Sequence, residues 1–203
     1  MTAFGSPNLT TASAGFFCGN GMHPVAYTLT GSNDVHPDLK LCDYLLMFGT
    51  SYGFVAQANA MGITQEMAEA RRRGMKLVVV DPVCSYAASQ ANEWIPIRPG
   101  TDAAFALSLM NVLVNEQDLY DADYLRKYTN STYLVGHDGR YLRDPKDGRP
   151  LVWDARNSRA GTFDAVEPGD GALEGSFQLA EVEAKPAFQL FKDHLRTYAP
   201  EMA

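Results

Sequence analysis

No two cysteines in the 203-residue sequence stand at CxxC spacing. The three present, Cys18, Cys42 and Cys84, are odd in number and far apart, a pattern that suits neither a disulfide framework nor a zinc or iron–sulfur site. Positive charge is scarce as well: 17 Lys and Arg against 24 Asp and Glu leave a formal charge of -7, which argues against a nucleic-acid or anionic-membrane surface as the main partner. No apolar run approaches a membrane span in length, and the first residues lack the basic and apolar regions of a signal peptide. The GxGxxG fingerprint of nicotinamide-binding folds is missing, and His36, His137 and His194 offer no catalytic constellation. What is present is a chain 46% apolar, long enough to bury the core of one domain with an appendage.

The stretch from Lys76 to Asp102, KLVVVDPVCSYAASQANEWIPIRPGTD, organises the rest. Lys76 to Val80 ends in four apolar residues, three of them β-branched, as a strand buried on both faces of a parallel sheet requires. Asp81-Pro82 stops it, because proline cannot donate to a ladder, and presents a carboxylate at the strand's carboxyl end, where open α/β sheets bind ligands. A ribose diol is one partner for Asp81; a cap on the following turn is the other reading. A second apolar run, Trp94 to Ile97, leads into Arg98-Pro99-Gly100-Thr101-Asp102. There a helix start is expected, with Thr101 or Gly100 as N-cap and Asp102 complementing the dipole, and with Ala103 to Val114 apolar nearly all round and so predicted to be buried. Arginine beside such a helix start suits a phosphate or a guanine; an ordinary capped helix with a surface arginine is the alternative.

Ahead of this stretch, Asp43 to Phe48 reads as a strand, and Gly49-Thr50-Ser51-Tyr52-Gly53 as a small-residue turn able to offer backbone N–H groups to a phosphate. Ala58 to Arg73 has helical spacing, with Gly74 at the C′ position and Arg71-Arg72-Arg73 read as a solvated last turn opposing the dipole. Strand, helix and strand make one βαβ unit between Tyr44 and Val80. After the apolar helix, Asp121 to Tyr128 is expected as a short helix with Tyr124, Leu125 and Tyr128 inward. Tyr133 to Val135, Arg140 to Arg143 and Leu151 to Asp154 read as short strands, Asn157 to Gly175 as irregular, and Trp153 as a packing anchor. Pro186 opens a last helix with Phe188, Phe191, Leu195 and Tyr198 in one row, and Pro200 ends it.

The pattern VVVDP, then EWIPIRPGTDAA, then a long helix and LYDADYLRKYTN resembles the molybdopterin oxidoreductase family, the dimethyl sulfoxide reductase type. It departs at Val83, where arginine is common in that family, and at Ala87-Ala88, where Thr-Ala is usual. The resemblance implies a molybdopterin guanine dinucleotide carrying molybdenum or tungsten. Asp81 and Pro82 would lie at the guanosine ribose, Arg98, Gly100, Thr101 and Asp102 near guanine or phosphates, and Gly49, Thr50 and Ser51 against the pterin-dinucleotide. The Gly-, Ser- and Asn-rich loop GSPNLTTASAGFFCGNG, from Gly5 to Gly21, is similar to the segment that reaches the metal in that family. Cys18 is then the catalytic metal ligand, its thiolate suiting a soft high-valent centre, with Ser13 as the substitute oxygen ligand; a buried small hydrophobe is the other reading of Cys18. His23 is more simply structural than a proton donor.

The expected fold is α/β: a doubly wound, mainly parallel sheet with helices on both faces in residues 1–132, then a hairpin-rich and irregular appendage and terminal helix in 133–203. The expected function is that of the cofactor-binding segment of a bis-molybdopterin oxidoreductase performing two-electron oxygen-atom, sulfur or hydride chemistry. The resemblance implies as partners an iron–sulfur electron-transfer subunit and the remaining domains of the catalytic subunit. An iron–sulfur cluster is expected in the whole enzyme and not in this segment. The alternative is a non-catalytic or truncated nucleotide-binding domain that folds without cofactor.

Overall fold

Val78, Val79 and Val80 are stiff at χ1 and fit a pleated surface, and with Leu77 they are all buried. In the computed structural model, which describes residues 5, 23–32, 35–54 and 60–199, they lie in the central strand of a three-stranded parallel sheet. Its strands are β1 (Tyr44–Phe48), β2 (Lys76–Val80) and β3 (Glu93–Ile95), side by side in that order. β1 and β2 run in register from Tyr44 beside Lys76 to Phe48 beside Val80, and β3 pairs the far half of β2, with Val78 beside Glu93. Burial on both faces of β2 matches its unbroken apolar sequence. The third strand begins at Glu93, one residue ahead of the Trp94 to Ile97 run, because Asn92 grips Leu77 from both sides: its backbone N–H donates to the Leu77 carbonyl at 2.8 Å, and its side-chain Oδ1 accepts from the Leu77 N–H at 2.8 Å.

The chain forms two compact units, residues 1–96 and 97–203. In the first, α1 (His23–Thr30) buries none of its residues, and α2 (Ala60–Arg72) crosses from β1 to β2. One core joins Leu39, Met47, Met67, Ala70, Met75, Leu77, Val79, Ala87 and Ala88. Each large side chain there is worth about 1.5–3 kcal/mol of burial. The end of α2 has the expected glycine cap: Gly74 sits at φ +103°, its N–H donates to the Arg71 carbonyl, and the Met75 N–H reaches back to Ala70. Of the arginines beside it, Arg72 and Arg73 are exposed, as a solvated helix end requires, while Arg71 is half-buried, and two of the three also bond to loops. The Arg71 guanidinium donates to the Gln90 carbonyl and lies 5.7 Å over the Phe54 ring, and that of Arg73 donates to the Leu39 carbonyl at 2.7 Å. They close orphan carbonyls of loops as well as opposing the helix dipole. α3 (Tyr86–Ser89), capped by the Ser85 hydroxyl accepting from the Ala88 N–H, completes this unit.

The second unit opens with α4 (Asp102–Asn111), which runs on into a π-helical turn, Val112–Glu116. Its expected burial is overturned: the buried residues of α4 are Ser108 and Asn111, whereas Leu109, Met110 and Leu113 are exposed. The π turn places Asn115, whose amide donates to Asn111 Oδ1 at 2.8 Å and to the Lys192 carbonyl at 3.1 Å, so polar groups face the interior. α5 (Ala122–Tyr128) is capped by Asp121, whose carboxylate accepts from the Tyr124 N–H, but Tyr124 and Tyr128 pack on each other at a tilt outside, 56% and 73% exposed, and of the expected inward row only Leu125 is half-buried.

The remainder of the unit is two small antiparallel sheets: β4 (Leu134–Gly136), β8 (Val182–Pro186) and β7 (Phe177–Leu179) in that spatial order, and the hairpin of β5 (Leu151–Asp154) with β6 (Arg159–Thr162). Asn157 to Gly175 therefore contains a strand and a 3-10 turn at Pro168–Asp170 and is not wholly irregular. Pairing with β5 supplies order that its Gly- and Asp-rich composition conceals. Arg140 to Arg143 makes isolated bridges only. Trp153 is a packing anchor, stacked on Phe177 at 4.4 Å. The last helix, α6 (Ala187–Leu195), follows Pro186 and buries Phe188 and Leu195, leaving Phe191 at the surface.

Lys192 is buried on α6. Its ammonium bonds Glu174 Oε1 at 2.9 Å, with Asp118 at 3.9 Å, and lies over the rings of Tyr120 and Phe188. Burial, then the hydrogen bonds to Glu174 and Asp118, push the Tyr120 phenol well above its ordinary value. Glu174→Ala leaves that ammonium with weak compensation and is expected to lower stability by about 3 kcal/mol, whereas Lys192→Met, which removes the charge itself, costs less; urea unfolding compares them. Asp154 accepts from the side chain and the backbone N–H of Asn157, which hold its carboxyl below the usual range. A lowered folded value stabilises the native state above about pH 4, and the contribution disappears as pH falls through the folded value. Thermal midpoints of wild type and Asn157→Ala are therefore expected to differ at pH 7 and to converge under acid.

Candidate functional site

Three of the predicted contact segments follow the carboxyl ends of strands, as the parallel pairing dictates. Gly49 comes directly after β1 at φ +55°, a conformation that glycine adopts without strain, and a Cβ there would meet nothing within 4 Å. Its N–H donates to the Val80 carbonyl at 2.9 Å, which ties the turn to the end of β2. That amide is thus engaged and is not open to a phosphate, a correction to the reading of this turn as a row of available donors. The Tyr52 N–H is also engaged, by Thr50 Oγ1, and the Phe54 N–H by the Ser51 carbonyl. The N–H groups of Thr50 and Ser51 have no partner among the described residues.

Asp81 follows β2. It is 8% exposed, and Oδ1 accepts from the Val83 N–H at 3.0 Å, so the turn-cap reading is correct for one oxygen. Oδ2 accepts no bond from any described residue. The main chain of Asp81 is fixed by two bonds: its N–H donates to the Ile95 carbonyl at 3.1 Å, and its carbonyl accepts the Trp94 indole N–H at 2.8 Å. Trp94 is a positioning residue that strand spacing alone does not reveal; its one hint is an indole N–H, a donor that needs a partner, at a strand's edge. Pro82 and Val83 are exposed.

Arg98 to Asp102 opens the second unit. Arg98 and Gly100 are exposed, and Gly100 sits at φ +85°. Thr101 occupies the N-cap position without capping: its hydroxyl donates back to the Arg98 carbonyl at 2.8 Å, which closes the loop and leaves the first amides of α4 without a cap from Thr101. Asp102 stands in the first turn. Cys18 and Ser13 lie outside the described residues. Among the described residues no group of three His, Cys, Asp or Glu is placed to hold a metal. His23 begins α1, and Cys42 and Cys84 are free thiols.

Comparison with known proteins gives this arrangement its family. The molybdopterin oxidoreductase profile matches residues 1–159. The chain belongs to the molybdopterin oxidoreductase family. It is 33% identical to a sulfite dehydrogenase subunit of Allochromatium vinosum, over 98% of this chain and 22% of that protein. It is 36% identical to the molybdopterin-containing subunit of thiosulfate reductase of Salmonella typhimurium, over 64% of this chain and 16% of that one. Among solved structures, acetylene hydratase from Pelobacter acetylenicus matches 63% of this chain and 16% of its own at 32% identity, with a TM-score of 0.47. The chain spans about a fifth of the length of the curated relatives it matches.

Membership in the molybdopterin oxidoreductase family implies a molybdopterin cofactor with molybdenum or tungsten. The described residues fit the nucleotide end of such a group: a buried carboxylate with one uncommitted oxygen at the carboxyl edge of a parallel sheet is an acceptor for a diol. A cavity of about 490 Å³ in the second unit, lined by Tyr128, Asn130, Tyr133, Phe163 and Glu167 among others, includes none of the predicted contacts. Asp81→Asn keeps the acceptor for the Val83 N–H and is expected to stay within about 0.5 kcal/mol of wild type, while Asp81→Ala loses the cap and about 1 kcal/mol; chemical denaturation of the two measures this directly.

Proposed function

We propose that the chain is the segment of a molybdenum- or tungsten-dependent catalytic subunit that holds one guanine-dinucleotide arm of a bis-molybdopterin cofactor. The observation that carries this reading is Asp81: a carboxylate held by its main chain on two sides, half engaged in the turn and half uncommitted, at the carboxyl end of the central parallel strand. Its Oδ2 accepts from the ribose hydroxyls, Pro82 keeps the strand from extending over them, and Thr50 and Ser51 offer amides to the pterin-dinucleotide. Arg98 brings a guanidinium, and the loop through Gly100 and Thr101 brings helix amides with Asp102 beside them, to guanine or phosphate. Cys18 supplies the thiolate that holds the metal, with Ser13 as the oxygen substitute. When bound, the cofactor supplies two-electron oxygen-atom, sulfur or hydride chemistry, while this chain binds it, orients it and excludes water.

In this reading the parallel sheet is the middle of a doubly wound one, residues 1–132 form the cofactor-binding domain, and 133–203 are its appendage. The partners are an iron–sulfur protein that passes electrons and the rest of the catalytic subunit. A second reading, a nucleotide-binding domain without catalysis, is favoured by Val83 alone: 65% exposed, it puts a methyl surface where the family commonly has a guanidinium.

Chain produced in a host that makes the cofactor is expected to carry stoichiometric molybdenum or tungsten, oxidised-pterin fluorescence and acid-released GMP. Cys18→Ala loses the metal; Asp81→Ala reduces pterin and GMP about tenfold, the size of one charged hydrogen bond. Folded wild-type protein with neither metal nor pterin would overturn the catalytic-segment reading, and GDP binding by that same protein would support the second.

A further inference from the structure

His36 and Tyr52 lie face to face in the first unit, ring centroids 5.8 Å apart and planes 21° from parallel. Neither belongs to a helix or a strand, yet both are held. Tyr52 is half-buried against the core cluster around Met47, Met67 and Leu77, and its N–H is fixed by Thr50 Oγ1 at 3.3 Å. The segment of His36 is anchored three residues on by Leu39, 1% exposed in the same core, whose carbonyl takes the Arg73 guanidinium. Asp38 closes the turn that contains Leu39, accepting from the Lys40 N–H through Oδ1 and from the Leu41 N–H through its carbonyl. His36 itself is exposed. A stack with one ring bedded in a core and the other turned to solvent has a rigid base and an open face.

Its position gives that face a use. Tyr52 stands three residues after Gly49, and Gly49 is bonded to Val80, the residue before Asp81. Tyr52 therefore belongs to the turn whose first residue is bonded to the neighbour of Asp81, and it carries His36 on its ring. Phe54, in the same turn, already lies under the Arg71 guanidinium and packs edge-on with Tyr86. The imidazole of His36 has no ring partner other than Tyr52 among the described residues. Flat rings add to aromatic stacks with little demand on side-chain entropy, and the gain does not depend on hydrogen-bond reading.

We infer that the outer face of His36, backed by Tyr52, is a stacking platform for the flat aminopyrimidinone ring system that guanine and pterin share. The inference rests on the proposed cofactor reading and adds to it a contact that carries no charge and needs no metal. His36 is a positioning residue here: it sets the plane of the bound ring while Asp81 holds the sugar.

The test uses the full 203-residue chain, with 6-carboxypterin followed by its own fluorescence and GDP followed by calorimetry, which separates the two ring sources. His36→Ala is expected to weaken binding of the ring that occupies the platform about tenfold, with Tyr52→Leu weakening it similarly, while His36→Phe restores it to within about twofold, as base–aromatic stacking energies imply. Because His36 is exposed, the alanine variant leaves the core untouched, and circular dichroism verifies its fold. Loss with pterin alone assigns the platform to the pterin, and loss with GDP alone assigns it to guanine. If wild type binds either ring and both His36→Ala and Tyr52→Leu bind it equally well, the platform is overturned, while weakening by Asp81→Ala in the GDP titration keeps the cofactor reading intact. A wild-type chain that binds neither ring overturns both.

Discussion

The pairing of β2 with β1 is the constraint on which the first unit depends. Because the strands run parallel and in register from Tyr44–Lys76 to Phe48–Val80, the chain must leave both at one edge. There the Gly49 N–H closes onto the Val80 carbonyl, extending the ladder by one bond past the strands. That bond makes neighbours of a turn and a carboxylate that are 32 residues apart in sequence, a separation that α2 and its glycine cap must span. The buried valines of β2 supply the free energy, and the polar edge is carried by it.

β3 completes this edge from the other side. Trp94 and Ile95 engage the carbonyl and the N–H of Asp81, so the residue is held by its main chain whatever its side chain does. Such a carboxylate can keep one oxygen in the turn and offer the other without the local backbone moving. Preorganisation of this kind is what the proposed ribose contact calls for, since a ligand need not order the site that receives it.

The second unit is held by different physics. Its small antiparallel sheets and α6 bury a modest apolar core, and at its margin a buried ammonium is compensated by Glu174, Asp118 and two aromatic rings. Around it cluster a π turn, the positive φ of Asp118 and the amide of Asn115 with a buried oxygen lacking a donor. A polar interior explains why α4, apolar nearly all round, turns Ser108 and Asn111 inward and leaves Leu109, Met110 and Leu113 outside.

Read alone, the sequence determined the elements whose cause is local. Val78 to Val80 could hardly be other than a doubly buried strand, Gly74 had to end α2, and Pro82 had to stop β2, since each follows from a side chain or a φ angle within a few residues. The motif VVVDP with EWIPIRPGTDAA likewise carried the family. What only the tertiary structure decided were the partners across long separations: Arg73 with Leu39, Trp94 with Asp81, Gly49 with Val80, Tyr52 with His36, Lys192 with Glu174. Periodicity reports which faces of an element are apolar and says nothing of what meets them. For that reason Tyr124 and Tyr128 have the spacing of a core row and yet lie in solvent, and Thr101, at a capping position, turns its hydroxyl back to its own loop.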